Sequence, residues 1–507
     1  MSDIAVAESG TRLQNFLDRA GLRGFPWKTA TILYTISWGW LFIVRDSLWS
    51  DDWTEFKYFQ LGFYDQEAQG FAPWNLVIKV FFDQSGPVPL RVLTFLMFFA
   101  AALAVFGTSG EVPLLAKSQR QFLALLFLLL PFNTSRVAIM VFKYTVSYFL
   151  FFMAWYFLVK GKKIGASLPL FFLSFLMHSL LVFYLLPILH FCYANLSSIR
   201  QNFLRKCLQL GSLVLLPFIY WILRSLYWPE RIRYHDVSVS SIAPTVKFVF
   251  IFALFVGMVY IVSLRTNIVV RHWIWLTLFG LLAIFLGLYP YVVFGYFEFN
   301  YGLILKYLVT ALGRSDWYSR HQTLQPIGVA ILGVCLIGLL PRRLIKIRRA
   351  IMVNLVALCV AINMFFGFEF IVDYSKQKEI IQSLKTNLSE DNGKFYVFVD
   401  EVSHLNARGR IYRDRDWRGL IWIATTPTHT KNSTIGSDCL SLGEKTLVLI
   451  RGPETHWEAL KNWVSDGDMG FDVTVNDTPG ACKPEMVTSE KVSGAIPILF
   501  YFTGAKG

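Results

Sequence analysis

The sequence predicts a polytopic α-helical membrane protein of about eleven transmembrane helices, followed by a small C-terminal α/β domain outside the cytoplasm. Three observations support this fold class. The 507-residue chain is 55% hydrophobic and only 16% charged, with a mean hydropathy of +0.47, whereas soluble domains carry about 25% charged residues. Apolar stretches of about 16–21 residues, the length that crosses a bilayer, recur along most of the chain. The composition then becomes abruptly polar after Tyr374.

The apolar stretches define the predicted helices. These lie near residues 29–45, 89–107, 120–131, 143–159, 166–177, 179–191, 207–225, 246–264, 273–290, 322–340 and 350–371. The fifth and sixth are short for separate spans, so we interpret them as a broken or re-entrant pair around Met177-His178-Ser179. Such a break is tolerated in a membrane only where protein or a wet cavity surrounds it. His178 is accordingly interpreted as a packed residue of the break rather than as a catalyst.

Basic residues in alternate loops predict the orientation. Examples are Lys160, Lys162 and Lys163 after the fourth helix and the basic run 342–349 before the last. The positive-inside rule makes these loops cytoplasmic, and an odd number of crossings then places residues 374–507 outside. The formal net charge of +14 is thus assigned mainly to short cytoplasmic loops, so we expect a lipid bilayer and no nucleic acid as partner.

Three regions follow from this topology. Residues 1–28 form a cytoplasmic segment without an apolar core, so the first helix is predicted to act as an uncleaved signal anchor. Residues 29–373 form the transmembrane domain, and residues 374–507 form the extracytoplasmic domain. A mixed α/β fold is predicted for the last from a helix-like segment and four β-rich runs. These are Lys376–Leu388, Phe395–Val399, Leu420–Ala424, Thr446–Ile450 and Ile496–Phe502.

Two cysteines fall in the predicted extracytoplasmic domain, Cys439 and Cys482. An oxidising compartment would join them, and the closed loop would stabilise the domain by about 3–4 kcal/mol in the chain-entropy model. The other four cysteines lie in or beside apolar spans, where a thiol behaves as a small hydrophobic group.

Two adjacent carboxylates, Asp51 and Asp52, follow the first predicted helix and begin a long aromatic loop that extends to about Pro89. They are flanked by Trp49 and Trp53, whose indole rings prefer the membrane interface. One interpretation is an acidic helix end that merely faces water. The other is a general base held where a lipid-borne substrate meets an aqueous one.

Basic residues also occur in the loops predicted to lie outside, where the positive-inside rule makes them unexpected. Each alone is commonly a snorkelling or salt-bridged group. Together they would suit a lipid phosphate, because guanidinium binds phosphate through paired N–H groups and stays charged. The candidates for a donor phosphate site are Arg136, Lys143, Arg231, Arg233, Arg314, Arg320 and His321.

These features resemble the GT-C superfamily of membrane glycosyltransferases. The shared features are an acidic pair in the first outer loop, an odd helix count, paired short helices near the middle and an exported C-terminal domain. The Asp51-Asp52-Trp53 start is similar to the acidic motif of bacterial O-antigen glucosyltransferases of the GtrII type. The resemblance covers residues 29–371 and implies a bacterial inner membrane, with the C-terminal domain in the periplasm or outside the cell.

The resemblance also implies an activity. Members commonly use polyprenyl-phosphate-linked sugars and place an acidic residue of the first loop at the reaction centre, a role that falls here to Asp51 or Asp52. Some members bind a divalent metal (Mg or Mn) there, although no clear set of additional ligands is visible in this chain. The implied acceptor is a cell-envelope glycan such as lipopolysaccharide, a lipid or a protein.

Three other functions remain open from the sequence. A transporter or flippase of lipid-linked oligosaccharides would show internal repeats and charges near the bilayer midplane, whereas most charges here sit at the ends of spans. A polymerase or ligase of diphosphate-linked glycans would also use outer arginines but would depend less on Asp51 and Asp52. A non-catalytic envelope scaffold would not require so many helices.

Overall fold

The computed structural model describes residues 22–49, 52, 72–112, 115–160, 163–195, 203–229, 257, 268–293, 322–387, 395–412, 414–425, 445–478 and 498–501. Within these ranges the chain is mostly helical. The helices are α1 (Trp27–Trp38), α2 (Ala72–Ser85), α3 (Val88–Ser109), α4 (Lys117–Leu129), α5 (Phe142–Val159), α6 (Ile164–Ser174), α7 (Ser179–Phe183), α8 (Leu185–Asn195), α9 (Phe203–Tyr227), α10 (Ile268–Val293), α11 (Gln325–Leu339), α12 (Ile345–Asn387), α13 (Asp414–Thr425) and α14 (His456–Asp466).

The lengths and apolar compositions of the helices are those expected of a membrane protein. Among the described residues, five segments are long and apolar enough to cross a bilayer by length and composition: Val88–Ser109, Ile139–Val159, Phe203–Tyr227, Val270–Pro290 and Ile345–Asn387. Shorter apolar helices are Ile164–Ser174, Ser179–Asn195 and Gln325–Leu339. The full count of eleven spans stays a prediction, and the predicted span 246–264 lies outside the described residues except for position 257.

Large apolar side chains exposed on the surface also indicate a membrane protein. On α9, Phe218 is 62% exposed, Ile222 is 61% exposed and Leu226 is 69% exposed. These residues follow one another at spacings of four, so they form one face of the helix. An apolar stripe of this kind would be costly in water but suits contact with lipid chains.

The predicted interruption around Met177-His178-Ser179 is present. Helix α6 ends at Ser174 and α7 begins at Ser179. Aromatic packing surrounds the break, with Phe175 meeting Tyr184 at a centroid distance of 5.0 Å and His178 lying 5.8 Å from Trp221. Since protein surrounds the break, its irregular backbone is compatible with a membrane setting.

The segment preceding α3 differs from the prediction of a long loop up to Pro89. It contains helix α2, Ala72–Ser85, which ends just before Gly86 and Pro87. Its apolar residues are interrupted by Lys79 and Asp83. A search for uninterrupted apolar stretches therefore misses it, because an amphipathic helix needs apolar residues on one face only.

Two further pairs of apolar helices, α10 with α11 and α4 with α5, pack closely. Helices α10 and α11 approach through small residues, since a Cβ added to Gly328 would lie 2.7 Å from the carbonyl oxygen of Gly280. Small residues at such a crossing let two helix backbones come together and gain van der Waals contact. Phe127 and Tyr148 stack between α4 and α5 with ring centroids 5.7 Å apart.

The C-terminal region contains a four-stranded mixed sheet of β1 (Phe395–Asp400), β2 (Lys445–Arg451), β3 (Asp472–Thr478) and β4 (Ile498–Tyr501). The strand order is β3-β2-β1-β4, with β1 parallel to both neighbours and β2 antiparallel to β3. This confirms the predicted mixed α/β fold and three of the four predicted β-rich runs, while strand β3 was not anticipated.

The remaining predicted β-rich run, Leu420–Ala424, is not a strand, so that prediction was wrong. It belongs to helix α13, Asp414–Thr425. Trp417, Leu420, Ile421 and Ala424 are all buried, and their spacing of three and four residues is that of a helix face. The short run Leu-Ile-Trp-Ile-Ala resembles a strand only when the polar residues before it are ignored.

The chain divides into two compact units. The membrane unit comprises Met1–Arg45, Phe63–Gly313 and Trp317–Met364, and the C-terminal unit comprises Asp46–Gly62, Arg314–Asp316 and Phe365–Gly507. Helix α12 is continuous from Ile345 to Asn387, so the unit boundary falls inside a helix. The domain boundary predicted from composition, at 373/374, lies within the same helix.

Candidate functional site

The acidic pair of the first loop is described only in part. Asp51 lies outside the described residues. Asp52 is fully buried, and its Oδ2 accepts a hydrogen bond of 3.0 Å from the backbone N–H of Trp49. The N–H of Asp52 in turn donates to the Trp49 carbonyl at 3.0 Å. This pair of bonds closes a tight turn and gives the Asp52 carboxylate a structural role.

Trp49 is also buried, with 1% of its surface exposed. The edge of the Phe370 ring meets it at a centroid distance of 5.1 Å, with the two rings perpendicular. The guanidinium carbon of Arg410 lies 4.7 Å from the centre of the Trp49 ring. Both partners belong to the C-terminal unit, as does the loop that carries Trp49.

Arg410 belongs to a buried set of charges in the C-terminal unit, here called the ion-paired cluster and made of Asp373, Lys376, Asp400, Arg410 and Asp416. The Arg410 side chain is 8% exposed. Its Nε donates to Asp373 at 2.9 Å, and its Nη1 donates to Asp416 at 3.2 Å. Burial alone would lower the pKa of Arg410, but the two carboxylates outweigh burial and raise that pKa.

The second cation of the cluster is equally well paired. Lys376 is fully buried, and its Nζ donates to both oxygens of Asp400, at 2.7 and 2.6 Å, and to Asn406 Oδ1 at 2.6 Å. Asp373 further accepts from the backbone N–H of Ala407 at 2.8 Å and from the Tyr412 hydroxyl. The cluster therefore connects helix α12 to the segment that follows strand β1.

A different arrangement surrounds Arg136 in the membrane unit. Arg136 lies in the short 3₁₀ segment Thr134–Val137 and is only 4% exposed. Its guanidinium carbon is 2.9 Å from the centre of the Trp38 ring and 4.4 Å from that of Phe98. Tyr148 packs on Phe98 at 5.3 Å. We call these four residues the aromatic arginine site.

Hydrogen-bond donors of the aromatic arginine site lack partners among the described residues. They include Arg136 Nε and Nη2, the indole N–H of Trp38 and the Tyr148 hydroxyl, together with Asn133 Nδ2 three residues before the arginine. Buried donors without acceptors are rare in proteins. A buried cation without an anion is costlier still, because its lost hydration is not replaced.

The backbone around Arg136 is fixed by polar contacts. Asn133 adopts a left-handed conformation with φ 57°, which asparagine tolerates better than most residues. Its Oδ1 accepts a hydrogen bond from the Ser135 hydroxyl at 2.9 Å. Arg91 donates to the carbonyl oxygens of Val137, at 2.6 Å, and Arg45, at 3.1 Å, and so connects α3 to this segment and to the end of the first helical region.

The other predicted phosphate-binding residues are placed as follows. Lys143 is 6% exposed in the first turn of α5, and its Nζ lies 5.6 Å from the Tyr144 ring centre. Arg231, Arg233, Arg314, Arg320 and His321 lie outside the described residues, as do Cys439 and Cys482 with their predicted disulfide. Cys192, Cys207, Cys335 and Cys359 are free thiols.

Sequence reasoning overlooked Arg91, Asn133 and the ion-paired cluster. Arg91 lies near the start of the apolar helix α3, and an arginine inside an apolar span signals either a functional or a pairing role. Its contacts to backbone carbonyls show the pairing role. Asp373 and Lys376 are likewise charged residues of an apolar helix, at the polar end of α12, so their types also indicated a pairing role. Their partners could not be identified from the sequence, because they are 24 to 37 residues away.

The metal site implied by the resemblance would include Asp51, which lies outside the described residues. Within the ranges that the structure covers, no group of three or more His, Cys, Asp or Glu side chains is arranged to hold a metal ion. Comparison with known proteins gives no match to a family model, to a curated protein or to a solved structure. The functional assignment therefore rests on the chemistry of the residues themselves.

Proposed function

We propose that this chain is a membrane glycosyltransferase of the GT-C type. It would transfer a sugar from a polyprenyl-phosphate-linked donor to an extracytoplasmic glycan, lipid or protein acceptor and invert the anomeric carbon. In this proposal the protein spans a bacterial inner membrane about eleven times, with its N-terminus in the cytoplasm and its C-terminal domain in the periplasm or outside the cell.

The observation that carries the proposal is the buried guanidinium of Arg136, whose Nε and Nη2 have no hydrogen-bond partner among the described residues. Buried cations normally have an anionic partner, because burial without one costs several kcal/mol. Arg136 instead lies on the rings of Trp38 and Phe98, which stabilise the cation but accept none of its in-plane N–H groups. An anionic ligand such as a phosphate monoester or diester would satisfy these donors.

The neighbouring donors support a phosphate in particular. A phosphate offers several acceptor oxygens, and Asn133 Nδ2, the Trp38 indole N–H and the Tyr148 hydroxyl all have hydrogen atoms to donate. Lys143 adds a second buried cation in the same unit. We assign the donor phosphate to Arg136 and Lys143, with Arg231, Arg233, Arg314, Arg320 and His321 as further candidates from the sequence.

The reaction needs one base and one stabilised leaving group. Asp51 would accept the proton of an acceptor hydroxyl while that oxygen attacks the anomeric carbon from the face opposite the phosphate. The bond between the anomeric carbon and the phosphate oxygen then breaks, and its electron pair leaves with the polyprenyl phosphate. Cationic groups stabilise the departing anion. Asp51 is preferred to Asp52 as base because Trp49 already occupies an oxygen of Asp52.

Purified protein incubated with polyprenyl-phosphate sugars and a hydroxyl-bearing acceptor should release polyprenyl phosphate and glycosylate the acceptor. Replacing Asp51 by Asn keeps the side-chain shape but removes its basicity, so turnover should fall by about 10²–10⁴-fold. Asp46→Asn is the matched control, because Asp46 is an exposed carboxylate of the same segment. Full turnover in Asp51→Asn would reject this mechanism. Movement of intact lipid-linked glycan without cleavage would instead identify a flippase, and transfer from a nucleotide sugar alone would overturn the donor assignment.

A further inference from the structure

The membrane unit contains a cavity of about 590 Å³ between its helices. Helices α3, α4, α5, α8, α10 and α11 all contribute to the lining, and the lining side chains are mainly apolar. Examples are Val105, Leu123, Phe152, Leu276 and Ile331. Sites for small molecules typically have volumes of about 300–1,000 Å³, so the cavity has room for an apolar ligand.

The few polar groups of the lining differ in whether they have a partner. The hydroxyls of Thr108 and Ser109 donate to the carbonyl oxygens of Ala104 and Phe106 on their own helix, both at 2.8 Å. Their hydrogen atoms are therefore already in use. His190 of α8 also lines the cavity and is 8% exposed, but its Nε2 has no hydrogen-bond partner among the described residues.

The neighbour of His190 determines what its Nε2 can do. The indole N–H of Trp155 on α5 donates to His190 Nδ1 at 3.1 Å. A nitrogen that accepts a hydrogen bond carries no proton, so the imidazole is neutral and has its proton on Nε2. His190 therefore presents one N–H donor, and a buried donor requires an acceptor. A lone water is a poor solution, because a buried water makes about three hydrogen bonds and this lining is mainly apolar.

The depth of His190 indicates which kind of oxygen would reach it. Its partner Trp155 lies just before the end of the apolar segment Ile139–Val159, which the charged residue Lys160 follows directly. Lys160 pairs with Glu111 at 2.7 Å, and both side chains are partly exposed. The helix from Trp155 to Lys160 rises by about 8 Å, and the polar layer on each side of a bilayer core is about 5–7 Å thick. This is the depth of the ester carbonyls, which lie between the headgroups and the acyl chains.

We propose that the cavity binds one acyl chain of a bilayer phospholipid, whose ester carbonyl accepts a hydrogen bond from His190 Nε2. The chain fills the apolar space between the helices. This site is separate from the aromatic arginine site, because Arg136 precedes Phe142 at the start of α5, and Trp155 lies about 20 Å further along that helix. The lipid binds whether or not the protein transfers sugars.

The ester contact is tested with delipidated full-length protein in detergent by native mass spectrometry. The probes are dioleoyl phosphatidylcholine and its diether analogue, which has the same headgroup and chains but no carbonyl oxygen. The parental protein should bind its first diester molecule about fivefold to tenfold more tightly than the diether, since one hydrogen bond is lost with the carbonyl. Equal affinities for the two lipids overturn the proposal, and this comparison needs no variant.

Two variants then isolate the donor. Trp155→Phe leaves His190 able to donate and should keep the preference for the diester. His190→Phe combined with Trp155→Phe removes the donor without stranding the indole N–H, and this double variant should bind both lipids equally. A preference that survives in the double variant overturns the role of His190.

A substitution that narrows the cavity tests where the chain lies. Leu189 is a 40% exposed lining residue of α8, and Leu189→Trp should weaken diester binding at least about tenfold, because a larger side chain excludes part of the ligand. Leu185→Trp is the matched control, since Leu185 is 43% exposed one turn earlier and lies outside the lining. Unchanged binding in Leu189→Trp overturns the site. Displacement of the diester by an equal concentration of oleic acid overturns phospholipid as the occupant.

Discussion

Arg410 of the C-terminal unit and Arg136 of the membrane unit are both buried cations, but their surroundings differ. In the C-terminal unit, Lys376 and Arg410 each donate to at least one carboxylate at 2.6–3.2 Å. In the membrane unit, Arg136 is buried to a similar degree but lies on aromatic rings, and two of its nitrogens have no partner among the described residues. The first arrangement is complete and stabilises the fold. The second leaves hydrogen-bonding capacity that the proposed anionic ligand would use.

The largest expected effect on stability comes from removing a carboxylate of the ion-paired cluster. Asp373→Ala leaves Arg410 without its main partner and removes the acceptor for Tyr412 and Ala407, so the C-terminal unit should lose about 3–5 kcal/mol of stability. Denaturant-dependent proteolysis of the full-length protein measures this loss. Arg451→Ala breaks a pair whose side chains are 59% and 42% exposed, and it should cost no more than about 1 kcal/mol. Equal losses of stability in the two variants would contradict the distinction between the buried ion-paired cluster and an exposed ion pair.

A double replacement sharpens the same comparison. Lys376→Met alone leaves Asp400 buried without its cation and should destabilise the unit by about 3 kcal/mol. Adding Asp400→Leu removes the stranded charge, and the double variant should recover much of that loss because a packed apolar pair replaces an ion pair. The same proteolysis assay measures it. Strictly additive losses would indicate that the two side chains do not act as a pair.

The smallest effect on stability is expected at Arg136, although its effect on binding should be large. Arg136→Met removes a buried cation that has no anionic partner among the described residues and keeps an apolar side chain of similar length. Relief of desolvation should therefore offset the lost cation–π contact to within about 1 kcal/mol. Thermal unfolding without ligand should therefore change little. Added polyprenyl phosphate should stabilise the parental protein and not the variant. A strongly destabilised variant would show that Arg136 has a structural role instead.

Patterns within one segment were predictable from the sequence, whereas contacts between distant segments were not. The strands around Phe398 and Val448 and the break at His178 follow from local runs of apolar residues. The run Leu420–Ala424 was misread because five apolar residues suit a strand as well as a buried helix face. Its helical period becomes visible only when Trp417 is included.

The candidate site shows the same limit. Arg136 was identified from its charge in a loop predicted to lie outside, but nothing in that loop specifies that Trp38 and Phe98, from two other helices, would cover its guanidinium. The role of Asp52 depended on a turn with Trp49, and such a turn is set by backbone hydrogen bonds that residue types alone do not determine. The ion-paired cluster forms only where α12 packs against residues 400–416. Such a tertiary contact between distant segments cannot be predicted from either segment alone.

One further bond constrains the order in which the membrane unit can be completed during synthesis. Helix α4 ends at Leu129, just before Pro131, and the Leu129 carbonyl accepts a 2.7 Å hydrogen bond from Asn363 Nδ2 of helix α12. The donor is 234 residues further along the chain. A bare carbonyl is unfavourable in a low-dielectric interior. The bond that satisfies the end of α4 can therefore form only after Asn363, in the last predicted span, has been synthesised.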